Sequence, residues 1–328
     1  MLEATKVLLV RNHILIRNVL LPSEELLTSI QPVPDGLNVA VWNLDEASAP
    51  FASEEVDAVV LPYVGALAPY QKRLADFPNL KLVQTQTTGF DGVANLGGPQ
   101  VAICSAAGVH AASTAELAIG LILASLRGLD VAARDQPHAL WRHERRTSLA
   151  DRKVLLLGVG GIGREIEHRL RPFEVSITRV GRTRREDEHG TVHSFQELLE
   201  LAPQHDVLIA VVPLTEETTG LVGEELLAKL PNGALVVNVG RGAVVDSDAL
   251  TVEVLSGRLH AALDVFDPEP IPANHPLWRA PKAFITPHLG GDSSAFPRRI
   301  AEFLQKQLNS FALGELPANL VRTGFYQE

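Results

Sequence analysis

One short unit constrains this chain more than any other. Lys153-Val154-Leu155-Leu156-Leu157 runs without a break into Gly158-Val159-Gly160-Gly161-Ile162-Gly163, and the helix-compatible stretch 164–170 follows. A buried strand, a G-x-G-x-x-G turn and a helix in that order form the opening of a dinucleotide-binding βαβ unit. The first glycine permits the tight turn, the second lets backbone approach a pyrophosphate, and the third lets helix pack on strand. Gly161 and Ile162 open the helix, whose N-terminal N–H groups face the anion. The competing reading is a glycine-rich turn with no ligand. The strand before and the helix after favour dinucleotide binding at Gly158, Gly160, Gly161, Ile162 and Gly163.

The same alternation runs along the whole chain. Apolar runs at 7–10, 39–42, 58–61, 82–85 and 101–104 read as buried parallel strands, and a stronger second set lies at 154–157, 175–180, 207–212, 235–239, 261–265 and 284–286. Strands separated by helices imply an α/β protein with right-handed crossovers. At 328 residues the chain exceeds one modest core. Two Rossmann-like or flavodoxin-like domains with doubly wound parallel sheets are therefore expected, with a cleft between them. Ser113-x-x-Glu116 has the capping-box spacing ahead of an apolar helix, which is expected to link the domains. Gly290-Gly291 and the helical stretch 295–311 suggest a second crossing. Residues 1–104 and 292–328 then form a substrate domain, and residues 105–291 a dinucleotide-binding domain.

Composition narrows the function. A net charge of −10 disfavours a nucleic-acid partner, which would need clustered Lys and Arg. Cys104 is the single cysteine, so no internal disulfide forms, and a reducing compartment follows. Its place in the run 101–104 points to a buried strand thiol. The opening residues mix charge with apolarity and lack a signal-peptide core. The longest apolar stretch, 117–126, is roughly half a membrane span. A cytoplasmic protein without membrane contact is expected. The 11 histidines show neither H-E-x-x-H nor Cys-x-x-Cys spacing, so no metal site is expected.

Cofactor choice is written about 20 residues after the glycine loop, where an acid at the end of the next strand would bind the ribose hydroxyls of NAD. Here the chain reads Arg179-Val180-Gly181-Arg182-Thr183-Arg184-Arg185. Arg182, Thr183 and Arg184 suit a ribose 2′-phosphate through charge-assisted and hydroxyl bonds. NADP(H) is preferred, with NAD(H) possible. The alternative is a solvated basic turn balanced by Glu186, Asp187 and Glu188 in an NAD-using protein.

Three further segments begin at the C-terminal ends of expected strands: Asn238-Val239-Gly240-Arg241-Gly242, Asp264-Val265-Phe266-Asp267-Pro268-Glu269-Pro270 and Thr286-Pro287-His288. Ligands bind at that edge of an open parallel sheet. Reduction of a 2-keto acid needs a proton donor and a fixed positive charge at the carbonyl oxygen. His288 would supply the proton, with Glu269 stabilising its imidazolium, and Arg241 the charge and a grip on the substrate carboxylate. Asp264 could orient the nicotinamide carboxamide. Taken singly, each is as well read as a surface ion pair, a solvated loop acid or a structural histidine. Their joint placement favours catalysis.

Together with Gly89-Phe90-Asp91, Thr114-Ala115-Glu116, Pro213-Leu214-Thr215-Glu216-Glu217-Thr218, Gly220 and His275-Pro276-Leu277-Trp278, these motifs span nearly the whole chain. In that order they resemble the D-isomer-specific 2-hydroxyacid dehydrogenases. The resemblance implies catalytic roles for Arg241, Glu269 and His288, and cofactor contacts from Thr114, Pro213, Thr218, Val239, Asp264 and Gly290. It also implies a homodimer. Backbone N–H groups at Val64 and Gly65 would hold the substrate carboxylate, unless Pro62-Tyr63-Val64-Gly65 is a plain strand-to-helix turn. The turn 181–183 is similar to that of NADPH-using glyoxylate and hydroxypyruvate reductases. Glu269 stands where formate dehydrogenases carry Gln, which disfavours formate. Trp141 either shapes a partner's pocket or packs an interface, and His110 either nears the cofactor or packs the core. Two other outcomes stay open: another substrate, such as phosphite or a bulky 2-keto acid, or a nucleotide-sensing protein without catalysis.

Overall fold

The computed structural model describes residues 14–43, 49–63, 68–93 and 95–326, so the strand expected at 7–10 lies outside the described residues. The chain divides into two compact units, Met1–Val109 with Pro297–Glu328, and His110–Phe296.

The first unit opens with β1 (Asn18–Leu21), β2 (Asn38–Val41), β3 (Ala58–Val60), β4 (Leu82–Gln84) and β5 (Ala102–Cys104). The second holds β6 (Lys153–Leu157), β7 (Ser176–Gly181), β8 (Arg185–Asp187), β9 (Gly190–Ser194), β10 (Val207–Ala210), β11 (Leu235–Asn238), β12 (His260–Leu263) and β13 (Ala283–Ile285). β14 (Leu320–Arg322) returns to the first unit. The first sheet is ordered β14-β5-β4-β3-β1-β2 and the second β13-β12-β11-β10-β6-β7-β9-β8. Both are parallel except at one edge, where β14 and β8 run antiparallel to their neighbours.

Alternation along the second sheet shows why its central strands β6, β10 and β11 are almost wholly apolar. Leu155, Leu157, Leu208, Ala210 and Val236 join one buried cluster, while Val154, Leu156, Val207, Ile209 and Val237 join another on the opposite face. Each side chain thus leaves water, at about 1.5–3 kcal/mol for a Leu or Val. The second cluster includes Ala115, Ala118, Leu121 and Ile122 from the helix Ala111–Arg127, and Ile166 and Leu170 from the helix Gly161–Leu170.

The α/β class and parallel sheets match the sequence expectation, with three departures. Strand β1 was not anticipated, since Arg17-Asn18 dilute its apolar signal. A distant residue anchors it, because the Asp57 carboxylate accepts the backbone N–H groups of Arg17 and Asn18 at 2.8 and 3.1 Å. The capping box at Ser113 does not form. The helix starts earlier, at Ala111 after an N-cap His110 that makes no side-chain cap, and it ends on Gly128 at φ 64°. Strands β8 and β9 form a hairpin of mostly exposed polar residues that carries no core signature. Among the described residues no helix is long and apolar enough to cross a membrane.

Candidate active site

The glycine loop follows β6 as expected, and its glycines fall into two kinds. Gly158 has φ 112°, and a Cβ there would sit 2.8 Å from the Val211 carbonyl oxygen. A Cβ on Gly163 would lie 1.9 Å from the Gly158 carbonyl oxygen. Fold packing alone demands these two. At Gly160 and Gly161 an added Cβ meets no atom within 4 Å. They leave bare backbone at the N-terminus of the helix Gly161–Leu170, where first-turn N–H groups have no intrahelical acceptor. Such a cradle fits a dinucleotide pyrophosphate.

Beyond β7, Arg182, Thr183 and Arg184 are exposed. The acids offered as their counterweights are occupied elsewhere. Asp187 binds the buried Arg179 through both oxygens at 2.7 and 3.0 Å, Glu186 accepts the Thr191 hydroxyl at 2.6 Å, and Glu188 stands 3.6 Å from His189. Hydrogen bonds from Arg179 and from the His189 N–H hold the Asp187 carboxyl down at about 2. Arg182 instead donates to Glu217 at 2.8 Å, and Arg184 pairs with Glu197. Glu197 also accepts the Ser194 N–H at 2.8 Å and faces His193 Nδ1 at 2.7 Å, which holds its carboxyl near about 2.

The catalytic candidates stand on loops at the other half of the sheet. Asn238, Leu263 and Ile285 end three adjacent parallel strands in register. Strand neighbours lie about 4.8 Å apart, so the loops that follow leave the sheet side by side. His288 Nδ1 donates to Glu269 Oε2 at 2.7 Å, since an ionised carboxylate can only accept. That leaves Nε2 for a reacting group. Glu269 is fixed in turn, because its Oε1 accepts the Phe266 N–H at 2.8 Å. Arg241 stands in the neighbouring loop, and the Asn238 side chain braces it by donating to the Arg241 carbonyl at 2.9 Å and accepting the Gly240 N–H at 3.1 Å. At Gly242 the loops touch, where a Cβ would lie 1.8 Å from the Phe266 carbonyl oxygen.

Asp264 is 2% exposed, and its carboxylate serves the loop that carries His288. It accepts the Thr286 hydroxyl at 2.6 Å and the N–H groups of Leu289 and Gly290 at 2.8 Å each, while its carbonyl accepts the His288 N–H at 2.8 Å. His288 is held at φ 54°, a left-handed conformation that a non-glycine residue adopts only when its surroundings impose it.

Several other residues expected at the cofactor also have partners within the protein. The buried Thr218 hydroxyl donates to the Pro213 carbonyl at 2.6 Å and accepts the Thr215 N–H at 2.8 Å, so it shapes its loop. The Thr114 hydroxyl donates to the Gly290 carbonyl at 3.1 Å. Val239 is buried. His110 stacks on Phe296 at 5.0 Å and faces the Gly291 carbonyl at 3.1 Å. Trp141 is 95% exposed. Val64 and Gly65 lie outside the described residues.

Residues 119–290 match the family model "D-isomer specific 2-hydroxyacid dehydrogenase, NAD binding domain". The chain belongs to this family. It is an oxidoreductase that uses a nicotinamide dinucleotide. The dehydrogenase is 34% identical over 260 residues to the glyoxylate reductase of Thermofilum pendens, covering 74% of this chain and 75% of that one. A D-isomer specific 2-hydroxyacid dehydrogenase from Xanthobacter autotrophicus, solved with NADPH and MES, has 27% identity and a TM-score of 0.80 over 93% of this chain and 98% of its own. The NADPH-dependent glyoxylate/hydroxypyruvate reductase of Sinorhizobium meliloti, solved with NADP and malonate, has 27% identity and a TM-score of 0.76 over 95% and 98%.

Sequence reasoning gave no role in the dehydrogenase to Asn238, Thr286, Glu217 or Glu197. For Asn238 and Thr286 a signal was present, since a polar residue closing an apolar strand needs a partner at the sheet edge. Glu217 and Glu197 carry none, because an exposed acid in a polar loop looks the same with or without an arginine beside it.

Proposed function

We propose that this dehydrogenase reduces a small 2-keto acid of the glyoxylate and hydroxypyruvate class, with NADPH preferred over NADH. The 2.7 Å pairing of His288 with Glu269 carries this reading, because it presents an oriented imidazole at the sheet edge that also bears Arg241. A nicotinamide dinucleotide, when bound at Gly158–Gly163, supplies the hydride for C2.

His288 gives its proton from Nε2 to the C2 oxygen as that oxygen gains charge, and Glu269 stabilises the imidazolium beforehand. Arg241 grips the substrate carboxylate and offsets the developing charge. In the reverse direction the neutral imidazole takes the hydroxyl proton. Backbone N–H groups of Val64 and Gly65 are proposed as further carboxylate donors. Residues 105–291 bind the cofactor in this proposal, and residues 1–104 and 292–328 the substrate. Asp264 acts chiefly through the His288 loop, with any contact to the carboxamide left to its remaining lone pair.

The cofactor preference rests on Arg182, Thr183 and Arg184, exposed where an NAD-type acid is missing, and on relatives solved with NADPH and NADP. A cytoplasmic homodimer completes the proposal. The test is turnover of glyoxylate, hydroxypyruvate, pyruvate, and branched and aromatic 2-keto acids with each cofactor. Best rates on glyoxylate and hydroxypyruvate with NADPH are expected. Cofactor binding with no turnover of any 2-keto acid would overturn the reading and favour a nucleotide sensor.

A further inference from the structure

The strand order places β6 between β10 and β7, so the loops after β10 and β7 flank the glycine loop. Their ends are two strand spacings apart, roughly 10 Å. Arg182 is the first residue after β7, and Glu217 lies in the loop 213–218 after β10. The 2.8 Å bond between them therefore spans the end of β6, on the side where the arginine turn would meet a ribose phosphate.

The two arginines of the turn are held differently. Arg184 pairs with Glu197, which also accepts the Ser194 N–H and hydroxyl at 2.8 and 3.1 Å and faces His193, so releasing it disturbs a capped turn. Among the described residues the Glu217 carboxylate bonds only Arg182. Both side chains are more than half exposed, at 74% and 52%, and Thr218 holds the loop beneath Glu217 in shape. Arg182 is thus the guanidinium that can change partner.

We infer that Glu217 is the internal counterion of Arg182 and sets how strongly this dehydrogenase separates dinucleotides with a 2′-phosphate from those without one. The inference rests on the proposal that Arg182 receives that phosphate. A dinucleotide lacking the phosphate leaves the ion pair intact. One that carries it must draw Arg182 from Glu217 or share the guanidinium with it, and two anions within one guanidinium's width repel. Glu217 therefore weakens binding of the phosphorylated form and spares the other. Sequence inspection alone does not suggest that an acid on a different loop moderates the arginine turn.

The test uses the whole protein, with 2′,5′-ADP and 5′-AMP as probes and Kd measured at low salt for wild type, Glu217→Gln, Arg182→Ala and the double variant. Glu217→Gln is expected to raise the preference for 2′,5′-ADP by about 2- to 5-fold, the range of an exposed ion pair. The gain should shrink in high salt, and it should vanish in the Arg182→Ala background. An unchanged or lowered preference, an equal shift for both probes, or a gain that persists without Arg182 overturns the role of Glu217. If Arg182→Ala alone weakens both probes equally, the cofactor assignment itself falls and the inference falls with it. If Arg182→Ala discriminates and Glu217→Gln does not, only the inference fails.

Discussion

His288 and Glu269 stand on loops that leave adjacent strands, and their side chains meet at 2.7 Å while a backbone N–H from Phe266 holds the far oxygen of Glu269. The imidazole is therefore oriented by a carboxylate that is itself oriented. Removing the proton donor with His288→Gln is expected to lower kcat by about 10²- to 10⁴-fold, with NADPH Kd little changed. Glu269→Gln should also lower kcat and spare cofactor binding. An unchanged kcat in His288→Gln would remove His288 from this role.

Asp264 tests whether the His288 loop needs its imposed shape. Asp264→Asn turns an acceptor into a mixed group facing buried N–H donors, which should cost about 1–3 kcal/mol of stability and lower kcat as His288 leaves its left-handed conformation. Thr286→Val removes one hydrogen bond to the same carboxylate and should cost about 1 kcal/mol. Urea unfolding paired with kcat measures both. Full activity in the Asp264→Asn variant would show that the loop holds without it.

The two kinds of glycine predict opposite results. Gly163→Ala drives a methyl into the Gly158 carbonyl, so it should destabilise the protein by about 1–3 kcal/mol or more. Gly160→Ala meets no protein atom and should leave thermal unfolding near that of wild type, yet weaken dinucleotide binding at least about tenfold, the equivalent of about 1.4 kcal/mol. Equal effects on Tm would refute the division.

Acid pH probes the hairpin beside the cofactor turn. Asp187 is held at about 2 against an ordinary 3.8, chiefly by Arg179. A carboxyl lowered by folding contributes stability that is fully present above about pH 4 and is lost as pH falls toward 2. Asp187→Asn should flatten the stability profile across that window and lower stability at neutral pH by leaving Arg179 short of a partner. Acid titrations of both proteins by circular dichroism provide the check.

The glycine loop, its flanking strand and helix, and the strand ends that carry Arg241, Asp264, Glu269 and His288 were all legible in the sequence. They are local: a buried parallel strand needs a continuous apolar run, and a turn at its end needs glycine or a polar residue within a few positions. What the chain's order could not show were pairings between distant segments. Asp57 anchoring β1, Asp187 taken by Arg179 rather than by the arginine turn, and Glu217 reaching Arg182 across the end of β6 join residues from separate loops. The same holds for the conformation of His288. A histidine after a proline carries no sign that it will be held at positive φ, because three bonds to the Asp264 carboxylate impose it. By itself the sequence determined which groups gather at the sheet edge, through hydrophobic periodicity. Tertiary structure alone decided which charge faces which, since an exposed side chain finds its partner only once the strands are stacked.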